Sequence, residues 1–338
     1  MEGTMRVVDF GSVTPLRSQT LWHATAHGVS AGAPPTLSFM RPSAPYVSIG
    51  FHTPFDAVDH DRCARMGIPV YRRMVGGGPV YLDPDQLFFQ IAVPEAATPA
   101  RRPAAVRWLL EPAVEAFRAV GVDADLDERN EVVLGDRKVC GHAAGQIGTA
   151  VIVVGNLIVQ FDHDAAAAVV RTPTGDAAEE FRRLVHRYVA PTPADPDSFK
   201  RAAAVSYAEA LGFRAEDAGL TDTEEEKLAE LDGLFVQPDW VRDGPIRRNG
   251  VPWRVKVKSG VWVHASEEGS TRVVVAIVDG MVDRIHLIDP DLDGARVEAE
   301  TLLQGEALAR APEHLRHFGP SGQRLAAELE RLTGKGVT

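Results

Sequence analysis

Short apolar runs of β-type composition alternate with turn-forming clusters through the first part of the chain: Thr36–Met40, Tyr46–Phe51, Ile68–Arg73, Pro79–Leu82 and Leu87–Val93. Each predicts a strand. The breaker cluster Arg41-Pro42-Ser43-Ala44-Pro45 predicts that the first two form a hairpin, and Asp83-Pro84-Asp85 predicts a turn between the last two. Val58–Met66 predicts a short helix. From Pro103 to Ala119 the apolar spacing changes to three and four, with Val106, Leu109, Leu110, Ala113, Val114 and Phe117 on one face. That pattern predicts a longer helix with Pro103 in its first turn. Glu131–Leu134, Lys138–Cys140 and Ala150–Phe161 predict further strands, and the last, apolar on both faces, belongs inside a sheet. Helices near Ala177–Val189 and Asp197–Leu211 follow. The residues before Thr36 read as a mobile start.

From Arg214 to Glu230 the chain turns acidic and polar, and the aromatic residues Phe235 and Trp240 come next. This predicts a solvated connector over about 214–243, dividing a larger domain, 1–243, from a smaller one, 244–338. In the smaller part Trp253–Lys258, Val261–Ala265, Thr271–Val278 and Met281–Leu287 predict antiparallel strands, with Asp279-Gly280 as a hairpin turn. Helices at Arg296–Leu303 and Gln323–Leu332 would cover one face of them.

The 338 residues allow two domains of ordinary size. No stretch approaches the roughly twenty apolar residues that span a bilayer, which predicts no membrane association. The start lacks the basic-then-apolar order of a secretory signal, so the expected location is cytoplasmic. Two cysteines, Cys63 and Cys140, are too few for a disulfide framework or a thiolate metal site. A net charge of −11 argues against nucleic acid as a main ligand, because duplex binding draws on excess Lys and Arg. His23 and His27 are four apart and share a helix face, but no third metal ligand accompanies them.

The chemistry concentrates in two strings. Arg72-Arg73-Met74-Val75-Gly76-Gly77-Gly78-Pro79-Val80-Tyr81-Leu82-Asp83 pairs arginines with three glycines, whose main-chain N–H groups can approach an anion with no Cβ in the way. Gly135-Asp136-Arg137-Lys138-Val139-Cys140-Gly141 sets one lysine among strand residues, placed to neutralise a phosphate or a developing oxyanion. Asp83 and Asp162, at strand ends, are candidate magnesium ligands. Lys138 and Cys140 are two apart, a spacing that gives both side chains one face of a strand.

In this order the two strings, with Arg129-Asn130-Glu131 before the second, resemble the lipoate–protein ligase A group of the biotin/lipoate ligase and acyltransferase superfamily. The resemblance covers most of residues 36–165. It implies an α/β fold of the α+β type, with mixed, largely antiparallel sheets flanked by helices and a smaller α+β C-terminal domain. It further implies ATP-dependent, magnesium-assisted activation of lipoate or a related medium-chain acid as an acyl-adenylate, then transfer to a lysine of a lipoyl-type carrier protein. Lys138 would be the catalytic residue. Arg72, Gly76, Gly77, Gly78, Val80, Tyr81, Asn130, Val139, Cys140, Gly141 and Ala143 would bind the acid and nucleotide, with Trp22 and Phe51 along the acyl chain. The chain departs from the family at several points. Thr20–His27 lacks the usual acidic residues, and Val75, Pro79, Leu82 and Cys140 replace the usual serine, alanine, histidine and serine. These departures leave open octanoyl transfer through Cys140, a non-catalytic ligand-binding or regulatory role, and ligation of another acid or amine.

Overall fold

The structure is a computed structural model that describes residues 3–243, 252–292 and 294–333. In chain order, β1 (Gly3–Val13) and α1 (Pro15–Ser30) precede β2 (Thr36–Pro42), β3 (Tyr46–Ile49) and α2 (His60–Arg65). Next come β4 (Val70–Arg72), β5 (Val80–Leu82), β6 (Gln86–Pro94), α3 (Arg102–Ala119) and β7 (Asp125–Leu126). Then follow β8 (Val132–Leu134), β9 (Arg137–Cys140), β10 (His142–Ile147), β11 (Ala150–Ile158), α4 (His163–Ala168), α5 (Gly175–Tyr188) and α6 (Pro196–Leu211). After them stand β12 (Phe213–Asp217), α7 (Asp222–Phe235), α8 (Pro238–Arg242), β13 (Trp253–Lys258) and β14 (Val261–Glu268). β15 (Thr271–Val278), β16 (Met281–Ile288), α9 (Arg296–Leu303), α10 (Ala311–Leu315) and α11 (Gly319–Thr333) complete the described elements.

The chain divides into two compact units, one drawn from Met1–Val169 and Val189–Ile246, the other from Val170–Tyr188 and Arg247–Thr338. The first is built on a six-stranded sheet in the order β10-β11-β6-β2-β1-β12, with two three-stranded sheets, β4-β3-β5 and β7-β8-β9. β11 lies inside the large sheet, as its two apolar faces predict. Its core joins Phe39, Phe89 and Leu157 of the sheet to Leu109, Val114 and Phe117 of α3 and Phe199 and Tyr207 of α6. The second unit has the predicted four antiparallel strands in the order β13-β14-β15-β16. Helix α5, which falls within the larger domain 1–243 expected from the sequence, belongs to this second unit, where Arg183 is 2.5 Å from Asp283 of β16.

Three sequence expectations fail for physical reasons. β2 and β3 are not a hairpin: β2 pairs with β1 and β6, whereas β3 pairs with β4 and β5. The proline-bearing turn between them carries the chain from one sheet to another. The start is ordered, since β1 and α1 occupy Gly3–Ser30. The acidic stretch is no solvated connector: α7 buries Leu228, Leu231 and Phe235 in the core that includes Trp22 and Ala26 of α1. Thr221 and Glu224 form a capping box, and Glu224 also takes two hydrogen bonds from the buried Arg6 guanidinium, both 2.8 Å. The charges visible in the sequence lie mostly on the outer face of this helix.

Candidate active site

The glycine loop is shaped by Arg73, not by Arg72. β4 ends at Arg72, and the next side chain turns inward, 5% exposed. Its Nε and Nη2 donate to the Gly76 carbonyl at 3.1 and 2.8 Å, and Nη2 also reaches the Gly78 carbonyl at 2.9 Å. Nη1 donates to the Ser48 carbonyl of β3 at 2.9 Å. The guanidinium is thus the hub around which Gly76–Gly78 folds. Thr53 Oγ1 ties down the remaining carbonyl, that of Gly77, at 2.6 Å. With all three carbonyls engaged, the amides of Gly76, Gly77 and Gly78 have no protein acceptor among the described residues. Gly77 has φ of 101°, and a Cβ there would lie 2.5 Å from Arg73 Nη2. Gly50 matters equally, because its Cβ would lie 1.9 Å from the Gly77 carbonyl oxygen.

Arg72 is also buried, at 1% exposed. Its Nη1 donates to the carbonyls of Gly50, Phe51 and Thr53, and its Nε to that of Val241 at 3.1 Å. Nη2 is buried with no partner. Trp240 Nε1 donates to the Arg72 carbonyl at 3.0 Å, and its ring lies 6.1 Å from that of Phe51.

Beneath the loop, α1 supplies polar side chains that burial fixes in place. Gln19 donates to Tyr46 Oη at 2.9 Å and accepts from Ser48 Oγ at 2.8 Å, so α1 is joined to the residue that Arg73 grips. His23 Nδ1 lies 2.6 Å from the Gln19 carbonyl, while its Nε2 accepts the Met74 amide at 3.1 Å. That pattern fits only the neutral ring with its proton on Nδ1. Burial pushes His23 down to about 3 from 6.5. The unfolded chain therefore binds a proton below about pH 6.5 that the folded chain refuses, so stability falls as pH drops toward 3. The expected slope is about 1.4 kcal/mol per pH unit. Denaturant melts of the parent and His23→Gln between pH 7 and 5 check this; equal pH slopes would remove His23 as the cause.

Lys138 stands on β9 with Nζ 2.7 Å from Glu131 Oε2, their side chains 16% and 3% exposed. β9 does not alternate as a plain strand. Val132 pairs with Cys140 and Val133 with Lys138, a bulge that leaves Val139 as the extra residue. Val139 and Cys140 are both 0% exposed. The shared face expected for Lys138 and Cys140 gives way to a half-buried lysine beside a sealed thiol. Burial pushes that thiol up to about 12. A Cβ on Gly155 would lie 3.0 Å from Cys140 Sγ, so the sulfur fills core space opposite that glycine. The other cysteine, Cys63, is buried as well, its thiol pushed up to about 11.

The two strings are linked through neighbouring strands. Val75 packs against Gly145 of β10, where a Cβ would lie 2.5 Å from Val75 Cγ1. The Gly141 amide donates to Asn156 Oδ1 at 2.6 Å, and Asn156 Nδ2 donates to Gln86 Oε1 at 2.7 Å. Gln86 in turn reaches the Tyr81 carbonyl at 3.4 Å. Ala143 is half-buried on β10 beside the core that contains Val75. Val80 is exposed and Tyr81 buried on β5.

Other candidates have local duties. Asn130 has φ of 60° in the turn before β8, and its Nδ2 donates to the Pro103 carbonyl at 3.3 Å. Asp83 Oδ1 accepts the Asp85 amide at 3.0 Å, and burial raises the acid above its usual range. Asp162 caps α4 through the Ala165 amide at 2.9 Å. Among the described residues no three His, Cys, Asp or Glu are grouped to hold a metal, and no helix is long and apolar enough to cross a membrane. Trp22 is core, stacked on His23 at 3.4 Å between ring centroids, whereas Phe51 is 39% exposed. Ser48, Gln19, Gly50 and Trp240 had no site role in the sequence reading, and Arg73, His23 and Glu131 were named there without the contacts seen here. The doubled arginine and the glycine closing Tyr46–Ile49 were the available signals.

Comparison with known proteins places this arrangement. The chain is 26% identical over 238 residues to octanoyltransferase LipM of Kyrpidia tusciae, covering 61% of this chain and 86% of that one. It is 25% identical over 224 residues to lipoate-protein ligase A subunit 1 of Thermoplasma acidophilum, covering 62% and 85%. The structure of the bipartite lipoate protein ligase from T. acidophilum superposes with a TM-score of 0.63 at 26% identity over 74% of this chain and 99% of that one. Lipoate-bound LipL1 of P. falciparum shares the fold alone at 11% identity, with a TM-score of 0.56 over 97% and 100%. The sequence model described as lipoyl protein ligase A/B catalytic domain matches residues 16–191, and the chain belongs to that family.

Proposed function

We propose that the protein is an ATP-dependent lipoate–protein ligase, activating lipoate or a related medium-chain acid as acyl-adenylate and passing it to a lysine of a lipoyl-type carrier. Relatives with ligase and with octanoyltransferase names match about equally well, so the choice between them rests on the thiols. Thioester transfer needs a reachable cysteine with a depressed pKa. Cys140 and Cys63 are both buried with raised pKa values, and that observation carries the ligase reading.

The residues present fit an anionic co-substrate. The unpartnered Arg72 Nη2 and the glycine amides are donors without acceptors, suited to phosphate and carboxylate oxygens. ATP supplies the leaving pyrophosphate when bound. This chain would hold its charge against the acid, orient both through the glycine loop, and neutralise charge at the acyl phosphate with Lys138 Nζ. Glu131 keeps that ammonium in place until a stronger anion claims it. Asp83 and Asp162 each spend an oxygen on a turn or cap, so magnesium would come chiefly with phosphate and water ligands.

The test is pyrophosphate release from Mg-ATP with lipoate, octanoate or biotin and no carrier, with capture of the bound adenylate. Release dependent on one acid supports the ligase; no release, with octanoyl transfer from an acyl carrier, supports the second reading, in which Cys140 is the nucleophile. Cys140→Ala is expected to leave release within about twofold while costing roughly 1 kcal/mol of stability from the small void. Abolished turnover in a folded Cys140→Ala protein would overturn the ligase assignment.

A further inference from the structure

We propose that Trp240 and the main-chain carbonyl of Val241, on α8, are positioning groups for Arg72, aiming its one unsatisfied nitrogen at the carboxylate or phosphate of the substrate. This rests on the ligase reading and extends the site to a segment whose composition marks it as a connector.

Every acceptor the structure gives to Arg72 is a neutral carbonyl. Nη1 is shared by Gly50, Phe51 and Thr53 at 2.8, 3.1 and 2.8 Å, and Nε is taken by Val241 at 3.1 Å. These bonds hold the guanidinium plane and leave Nη2 over, buried and unpartnered. Burial lowers the pKa of Arg72, and Asp243, following α8, opposes that shift. A planar cation held through Nε and Nη1 by carbonyls, with one nitrogen left without an acceptor, is preorganised for an oxyanion. An unsatisfied buried donor is costly and needs a reason, which an incoming anion supplies.

Helix α8 grips Arg72 from both directions. Val241 accepts from its side chain, while the Trp240 indole donates to its carbonyl at 3.0 Å. The indole is itself held, its ring 5.8 Å from Phe235 at the end of α7 and 6.1 Å from Phe51. Five residues make a helix with little stability of its own, so these contacts decide where Val241 sits. Weakening the Trp240 bond moves Val241 and loosens Nε, and the loss is felt in ground-state binding of the anion.

The experiment compares the full chain with Trp240→Phe, which deletes the indole donor and keeps a ring between Phe51 and Phe235. The expected result is a protein that stays folded with a melting temperature lowered by only a few degrees, a KM for the acid raised about tenfold and a kcat within about threefold, the size of one lost hydrogen bond to a binding group. Arg72→Lys in both backgrounds closes a double-mutant cycle, which is expected to be non-additive. An unchanged KM in folded Trp240→Phe, or an additive cycle in an active parent, overturns the positioning role and leaves the ligase reading standing. A parent without acid-dependent pyrophosphate release overturns both.

Discussion

Alanine at position 138 is expected to reduce acid-dependent pyrophosphate release by roughly a hundredfold or more, the consequence of losing one preorganised donor at a developing charge, worth about 3–4 kcal/mol. The structure adds a second effect. Glu131, its side chain 3% exposed, loses the ammonium that sits 2.7 Å away. Taking a cation away from a buried carboxylate costs up to roughly 3–5 kcal/mol unless the acid takes up a proton. Lys138→Ala should therefore be less stable as well as slower, and the two effects have to be parted. Lys138→Met in a Glu131→Gln background removes both charges and keeps the volume. It is expected to recover most of the melting temperature and none of the rate. A folded double variant that forms adenylate at the parental rate would show that Lys138 is a structural lysine.

Arg73→Lys should be the most damaging single change to the loop. The Ser48, Gly76 and Gly78 carbonyls all take bonds from one planar fork, and an ammonium on a flexible stem cannot reach three divergent oxygens at once. The Ser48 carbonyl is buried and the Gly76 and Gly78 bonds are partly so, and with a buried acceptor left unsatisfied costing about 1–3 kcal/mol the expected loss is roughly 2 kcal/mol or more, several degrees in Tm. Turnover should fall with it, because the amides of Gly76–Gly78 lose their common frame. Burial lowers Arg73 only to about 10, so the guanidinium keeps its charge near neutrality. Calorimetry together with steady-state pyrophosphate release checks the pair of effects; a parental Tm in Arg73→Lys would mean that the loop holds its shape without the clamp.

The contrast between α3 and α1 shows what a sequence pattern carries. α3 presents Leu109, Leu110, Ala113, Val114 and Phe117 to the core and water elsewhere, so its three-and-four spacing is visible. α1 is buried nearly all round, and its inward positions include Gln19, Thr20, His23 and Thr25, each satisfied by a partner far along the chain. A helix whose buried residues are polar has no stripe to read. The same limit applies to the site. The three glycines, Lys138 and the presence of arginines were legible because they cluster in short strings. Which of two adjacent arginines organises the loop was not, since Arg72 and Arg73 differ only in what surrounds them. Glu131 was counted as a strand residue, although pairing of β8 with β9 brings it to Lys138.

The parallel pairing of β1 with β12 sets an order of events during synthesis. Gly3 lies opposite Phe213, and Arg6 finds its carboxylate partner 218 residues later, at Glu224. β1 leaves the ribosome well before β12, and it can complete neither its outer edge nor its ion pair until the chain through Glu224 has followed. Until then it presents an open edge on one side and an uncompensated guanidinium, and its closure is a late, long-range step of the kind that slows folding. Through that interval β1 stays half paired, and a chaperone or a neighbouring nascent chain has access to its edge.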